Sequence, residues 1–252
     1  MRRTVLPGDE DYFRRLETTG STGALYRQRG QSLSPEQYHA SLWAGVLTQN
    51  TVVDDVSGAP VGLLCCYGPD FRNGHASLAV IFDESRRGTA WAMRHMYGFI
   101  DELFVNFPFR KLYAEVAEFN LGQLNSFPSK EFVEIEGRKI AHEYHDGQYW
   151  DLFSFAIHRE RWITYRQKLT DEGVRAVEIV DAIFIARTGA PLDQVPGEEL
   201  LSDLGLDSLD LAEITEALDG MAPHDVPSDL YESLATTADV KHFLKEWGLA
   251  TL

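Results

Sequence analysis

Leu204-Gly205-Leu206-Asp207-Ser208-Leu209-Asp210 opens a helical pattern in which Leu211, Ile214 and Leu218 recur on one face. Asp210, Glu213, Glu216 and Asp219 fall between them, so the spacing predicts a helix that buries the leucine and isoleucine stripe and turns its carboxylates outward. Ser208 stands just inside the helix start, where a turn projects its hydroxyl into solvent and Leu209 anchors the chain. Val177, Val180, Ile183 and Phe184 share one face of an earlier helix whose start reads Thr170-Asp171-Glu172-Gly173. Pro227 to Leu234 and Thr237 to Trp247 predict a short and a final helix. The last third therefore reads as an all-α four-helix bundle.

Charge divides the chain at the same place. Residues 1 to 169 hold 21 acidic and 19 basic side chains, whereas residues 170 to 252 hold 18 and 4, so nearly all of the formal charge of −16 belongs to the last third. Such a surface repels phosphates, which excludes a nucleic-acid partner there, and it favours basic partner patches. The basic run Arg159 to Lys168 precedes the junction, and two domains are expected, 1–168 and 169–252. No stretch approaches the roughly 20 apolar residues of a membrane span, and Met1 to Leu6 runs into Gly8-Asp9-Glu10-Asp11 without an apolar signal core; a cytoplasmic protein without a membrane partner is expected. Cys65 and Cys66 are adjacent in an apolar run and read as core residues of a strand. No metal site is expected.

The first two-thirds mix helices and strands. Ser34-Pro35-Glu36-Gln37 is a capping-box start, followed by Tyr38, Leu42 and Val46 at helical spacing. Thr51 to Asp54 and Pro60 to Tyr67 predict a hairpin around Ser57-Gly58. Ala76 to Phe82 is a strand, and after the turn at Ser85 to Ala90 the residues Met93, Met96, Tyr97, Ile100, Leu103 and Phe104 mark an amphipathic helix. Lys111 to Val116 is strand-like, and Ile140 to Tyr144 with Gln148 to Ile157 flank an Asp146-Gly147 turn, a hairpin signal.

The helical third resembles the acyl or peptidyl carrier proteins over about 80 residues, and the Leu-Gly-Leu-Asp-Ser-Leu-Asp run is that family's most specific signature. The resemblance implies that a phosphopantetheinyl transferase moves 4'-phosphopantetheine from coenzyme A onto Ser208, and that the thiol of this arm holds an acyl group as a thioester. It also implies that the acidic surface docks on other biosynthetic synthases.

The turn Ser85-Arg86-Arg87-Gly88-Thr89-Ala90, between a strand and a long helix, resembles the Q/R-x-x-G-x-G/A motif of the GNAT acyltransferase superfamily. Backbone N–H groups at such a helix start bind the pyrophosphate of coenzyme A or acyl-CoA. Ser85 replaces the usual Gln or Arg, while Arg86 and Arg87 supply compensating charge. Asn120 to Phe132 resembles the N-x-x-A/S-x-x-L-Y-x-x-x-G-F region of the same superfamily, with Asn120 and Phe132 at the right separation. The resemblance spans residues 5 to 162 and implies an α/β fold with a GNAT-like mixed sheet and flanking helices. Phe127 stands where many members carry a proton-donating Tyr, and Glu131 where Gly is usual. His75, ten residues before Ser85, matches the position of a catalytic Glu or His and is a candidate general base. Glu118 is a second. Tyr144 to Trp150 reads either as an acceptor pocket or, more in keeping with aromatic residues, as core packing.

An acyltransferase fused to its own carrier admits three readings. The acyl group rides on the Ser208 arm and passes to an amine or another nucleophile. Alternatively, acyl-CoA loads the carrier with a starter unit, with or without decarboxylation. In the third, the GNAT-like domain is inactive and presents the carrier to other synthases. Carrier fusion points to polyketide or nonribosomal-peptide chemistry in secondary metabolism.

Overall fold

The computed structural model describes residues 1–18, 31–55, 57–87, 89–123, 130–170, 176–221 and 234–246. Phe127, Gly88, Asp171 to Gly173 and residues 227 to 233 of the expected short helix lie outside them, as do the side chains of Ala90, Val177 and Asp219.

Seven strands form one sheet in the order β1-β2-β3-β4-β5-β7-β6. They are β1 (Arg2–Thr4), β2 (Val46–Val53), β3 (Pro60–Asp70), β4 (His75–Phe82), β5 (Lys111–Ala117), β6 (Val133–His145) and β7 (Gln148–His158). The β1–β2, β2–β3, β3–β4 and β5–β7 pairs are antiparallel, and β4 and β5 are parallel. A parallel pair needs a crossover, which α3 (Ala90–Asn106) provides. The expected face of α3 is the buried one: Met93, Met96, Tyr97, Ile100, Leu103 and Phe104 are all buried. Arg159 closes the far end of α3, donating to the carbonyls of Phe104, Phe107 and Phe109 and lying 5.1 Å over the Phe104 ring. Its charge meets the negative end of the helix dipole.

Helices α1 (Asp9–Thr18) and α2 (Pro35–Trp43) cover the sheet through Phe13, Tyr38 and Leu42, packed with Leu63 and Ile81. The capping box at Ser34 is present, but α2 stops before Val46, which belongs to β2. Gly45 is the reason, since its φ of 69° takes the left-handed conformation that ends helices. The Asp146-Gly147 turn joins β6 to β7 with φ of 49° and 78°, as a two-residue hairpin requires.

Compactness groups the chain into one unit of Met1–Arg87, His95–Asn120 and Glu134–Arg159, and a second of Gly88–Arg94, Leu121–Val133 and Glu160–Leu252. The second unit contains α4 (Arg159–Thr170) from Glu160 onward, α5 (Ala176–Thr188), α6 (Ser208–Met221) and α7 (Thr237–Glu246). Val180, Ile183, Phe184, Leu206, Ile214, Leu218, Val240 and Phe243 share one apolar cluster, with Leu211 packed against it.

Two positions in the sheet unit lend themselves to measurement. A Cβ at Gly62 would lie 2.8 Å from the Ile81 carbonyl oxygen and 2.6 Å from the Phe82 ring. Gly62→Ala should therefore destabilise the protein by about 1–3 kcal/mol, read from the shift of the urea midpoint. Asp9 is buried and accepts from Arg3 at 2.6 and 2.8 Å, from the Leu6 N–H and from the Thr51 hydroxyl. Burial pushes its carboxyl up, but these donors outweigh burial and hold it below the ordinary carboxylate range. A depressed folded-state value stabilises the fold above the unfolded value of about 3.9, and that share is lost as pH falls through the folded value. The stability gap between wild type and Asp9→Asn should accordingly shrink when chemical denaturation is repeated in acid.

Candidate functional site

The sheet opens between two of its strands. β4 and β5 pair only from His75–Lys111 to Leu78–Ala114; β4 then continues to Phe82 and β5 to Ala117 without pairing to each other. Over the same stretch β5 remains paired with β7 as far as Ala117–Leu152. The two parallel strands thus part towards their C-terminal ends. One lip leads into the Ser85 turn, and the other into a 3-10 turn, Glu118–Gln123, that carries Glu118 and Asn120.

The turn is held from within. The carbonyl of Asp83 accepts from the N–H groups of Arg86 (3.2 Å) and Arg87 (3.0 Å), and its carboxylate accepts from the Ser85 hydroxyl at 2.6 Å. The Arg86 guanidinium pairs with Asp54, so part of the charge expected for a pyrophosphate is already committed. Arg87 reaches the Phe82 carbonyl at 3.5 Å. Thr89 caps α3, its hydroxyl accepting from the Ala92 N–H at 3.2 Å.

His75 stands at the zipped end of the same strand. Its Nε2 is 3.8 Å from Asp70, and its ring meets Tyr113 edge-on at 5.5 Å. Phe82 is seven residue steps further along the strand, about 23 Å at the usual rise, so His75 and the Ser85 turn occupy opposite ends of β4. Glu118 lies at the open end, exposed, with one carboxylate oxygen accepting from the Asp151 N–H at 3.3 Å. Asp151 in turn accepts from the Ala141 N–H at 2.7 Å and pairs with Arg138; these hydrogen bonds hold its carboxyl below the usual range. Next to Glu118, Phe119 meets the His145 ring at 4.5 Å and Trp150 at 5.8 Å. Core packing is not the role of Tyr144 and Tyr149, which are 65% and 68% exposed and face one another at 5.2 Å. They flank the turn that joins β7 to the edge strand β6.

The helix start at Ser208 agrees with expectation in one respect and departs from it in another. First, Asp207 caps α6: its carboxylate accepts from the N–H groups of Leu209 (2.9 Å) and Asp210 (3.1 Å), and Asp210 returns the contact by accepting from the Asp207 N–H. This reciprocal arrangement is a capping box, and it places Ser208 at the first helical position instead of at the cap. Second, the polar face is not outside. Ser208 is only 4% exposed, Asp210 2% and Glu213 8%, and Leu209 and Ala212 are fully buried although neither belongs to the apolar cluster that holds Ile214 and Leu218. Helix α6 is thus enclosed on two sides.

Basic side chains account for the buried carboxylates. Asp210 accepts from Arg187 at 2.8 and 3.1 Å and from Lys130 at 3.1 Å. Burial pushes its carboxyl up, but the Arg187 hydrogen bond and the Lys130 charge hold it below the ordinary range. Lys130 also meets Glu213 at 2.9 Å, and the Tyr165 hydroxyl donates to Glu213 at 2.7 Å. Arg166 donates to Glu216 at 2.8 Å, with Arg94 at 3.8 Å from the same carboxylate. Sequence reading missed Lys130, Arg94 and Tyr165. Arg166 lay within the basic run that marked the junction, and the acidic excess that called for a basic partner was the one signal available.

Among the described residues, no group of three or more His, Cys, Asp or Glu side chains could hold a metal, and no helix is long and apolar enough to cross a membrane.

The chain is similar to a spermidine N-acetyltransferase from Vibrio cholerae solved in complex with CoA and spermine, with a TM-score of 0.55 and 17% identity over 65% of this chain and 97% of that one. A second structure, the spermidine/spermine N-acetyltransferase SpeG of the same organism in complex with manganese ions, gives a TM-score of 0.53 at 18% identity, covering 66% of this chain and 95% of that one. At such identities the likeness establishes the fold: a mixed α/β sheet with flanking helices of the GNAT type. An acyl carrier protein from Bdellovibrio bacteriovorus is 33% identical over 72 residues, which cover 28% of this chain and 92% of that protein. No protein-family model matches the chain.

Because Asp207 supplies the cap, the two neighbouring residues should respond differently to truncation. Asp207→Ala should cost about 1 kcal/mol of stability, measured by urea unfolding, and Ser208→Ala clearly less.

Proposed function

Since 72 residues of this chain belong to the acyl carrier protein family, we propose that the molecule is an acyltransferase with its own acyl carrier, in which a 4'-phosphopantetheine arm on Ser208 holds the acyl group. The observation that carries this reading is Ser208 at the first position of a helix capped by its neighbour Asp207, which leaves the serine with no need to serve as the cap. A phosphopantetheinyl transferase attaches the arm, with coenzyme A as its source. The described helices 176–246 are read as the carrier, and the sheet with its flanking helices as the transferase.

The acceptor is an amine, a class suggested by the spermine in the complex of the similar structure. Its nitrogen attacks the thioester carbonyl, the C–N bond forms, the C–S bond breaks, and the sulfur leaves as the thiolate. The amine proton goes to a general base. Glu118 takes that role in preference to His75, because Glu118 lies where β4 and β5 part and His75 lies where they are zipped. Asn120 follows it in the same turn and helps to orient the reactants. The cluster Phe119, His145 and Trp150 offers aromatic faces beside Glu118, suited to a cationic amine before it loses its proton.

The direction of acyl flow from the arm to the acceptor is supported by the Ser85 turn. Its N–H groups at Arg86 and Arg87 already meet Asp83, and Arg86 already pairs with Asp54, which leaves less to offer a free coenzyme A pyrophosphate than the motif alone suggests. Acyl-CoA loading of the chain's own arm is the second reading; it is favoured by Arg87 and by the capped helix start after it. Polyketide or nonribosomal-peptide assembly is the setting proposed for either direction.

Intact-protein mass spectrometry of the holo chain tests both. With the arm acylated by an exogenous transferase, discharge to added polyamines is expected. Glu118→Gln should slow discharge by about 10²–10⁴-fold and His75→Ala by less than about tenfold. The opposite ranking would move the base to His75. Self-acylation from free acyl-CoA without discharge would establish loading.

A further inference from the structure

We infer that Arg94, Lys130, Tyr165 and Arg166 form a docking surface for the chain's own helix α6, and that while α6 is docked Ser208 is covered, so that arm attachment requires its release. The inference rests on the reading of Ser208 as the arm-bearing serine.

All four residues belong to the same compact unit as α6, yet all four come from outside the helical third of the chain. Asp210, Glu213 and Glu216 are spaced three apart and so follow one another along the helix. Each meets at least one of the four: Lys130 joins Asp210 and Glu213, Tyr165 donates to Glu213, and Arg166 and Arg94 hold Glu216. The pairing is complementary at all three carboxylates. Water is partly excluded from it, since Asp210 and Glu213 are buried and Lys130, Arg166 and Glu216 partly so. Leu209 and Ala212 add apolar area outside the cluster of α5 to α7. Acidic side chains that would face a foreign enzyme are thereby occupied by the chain itself, and Ser208, whose oxygen must bond to coenzyme A's phosphorus as the pyrophosphate P–O bond breaks and adenosine 3',5'-bisphosphate leaves, is only 4% exposed. An in-line attack needs that oxygen to be free to approach the pyrophosphate, so the docked arrangement and the arm-attachment reaction exclude one another.

The test uses the full-length chain with Ser208→Cys as an accessibility reporter that needs no transferase. Cys65 and Cys66 are buried, and burial pushes the Cys66 thiol up to about 12, so they contribute little reactivity with N-ethylmaleimide. Alkylation of the reporter should be slow in dilute buffer and should accelerate about tenfold or more in Lys130→Gln, which leaves two buried carboxylates without their shared cation. Where Lys130→Gln fails to fold by circular dichroism, Arg166→Gln and Arg94→Gln loosen the less buried end of the same face, and raising NaCl from about 0.05 to about 0.5 M weakens it with no such variant at all. Reporter alkylation as fast as in the denatured chain, unmoved by Lys130→Gln, Arg166→Gln or salt, would overturn the docking surface. In parallel, pantetheinylation of the wild-type apo chain should rise under the same perturbations. A reporter that is gated as expected, in a chain whose Ser208 never receives an arm even in Lys130→Gln, would uphold the cover and overturn the arm-bearing reading.

Discussion

A single carboxylate carries much of the second unit. Asp210 accepts the Asp207 N–H and so completes the cap of α6, binds Arg187 of α5 and so ties two helices together, and meets Lys130 from a segment eighty residues earlier. A carboxylate this deeply buried is tolerable only because donors surround it; removing water from an ion costs several kcal/mol, and an unpaired one would titrate to its neutral form. Local helix initiation, helix packing and long-range attachment consequently depend on one side chain. Loss of one partner cannot be confined to one contact.

The sheet unit has a corresponding constraint of topology. Two parallel neighbours, β4 and β5, require a crossover, and α3 supplies it with its inner face buried and its C-terminal carbonyls held by Arg159. Because β5 keeps its pairing with β7 while β4 departs, the sheet opens between them. Beyond Leu78 and Ala114 the two strands no longer pair with each other. The Ser85 turn, which leads into α3, follows one lip, and the turn that carries Glu118 follows the other.

Much of this was legible in residue order. The capping box at Ser34, the Asp146-Gly147 turn, the buried face of α3 and the stripe Leu211, Ile214, Leu218 each depend on neighbours within a few positions, and periodicity reports such neighbours directly. Val46 was misplaced because helical spacing continues through Gly45, whereas the backbone there turns left-handed. Carboxylates at Asp210 and Glu213 read as a solvated face since isolated helices place charge outward, and no local pattern marks Lys130 as their partner. Resemblance to a motif points to His75, and only strand pairing shows which end of β4 opens.

The acidic character of the helical third and the Asp-Ser pair that begins α6 are legible in residue order, because they are properties of composition and short-range pattern. What encloses α6 was decided by tertiary structure. Whether a carboxylate is solvated or buried depends on cations that arrive from distant parts of the chain, and the coincidence of Arg94, Lys130, Tyr165 and Arg166 on one helix face is a fact of three-dimensional packing that no sequence interval encodes.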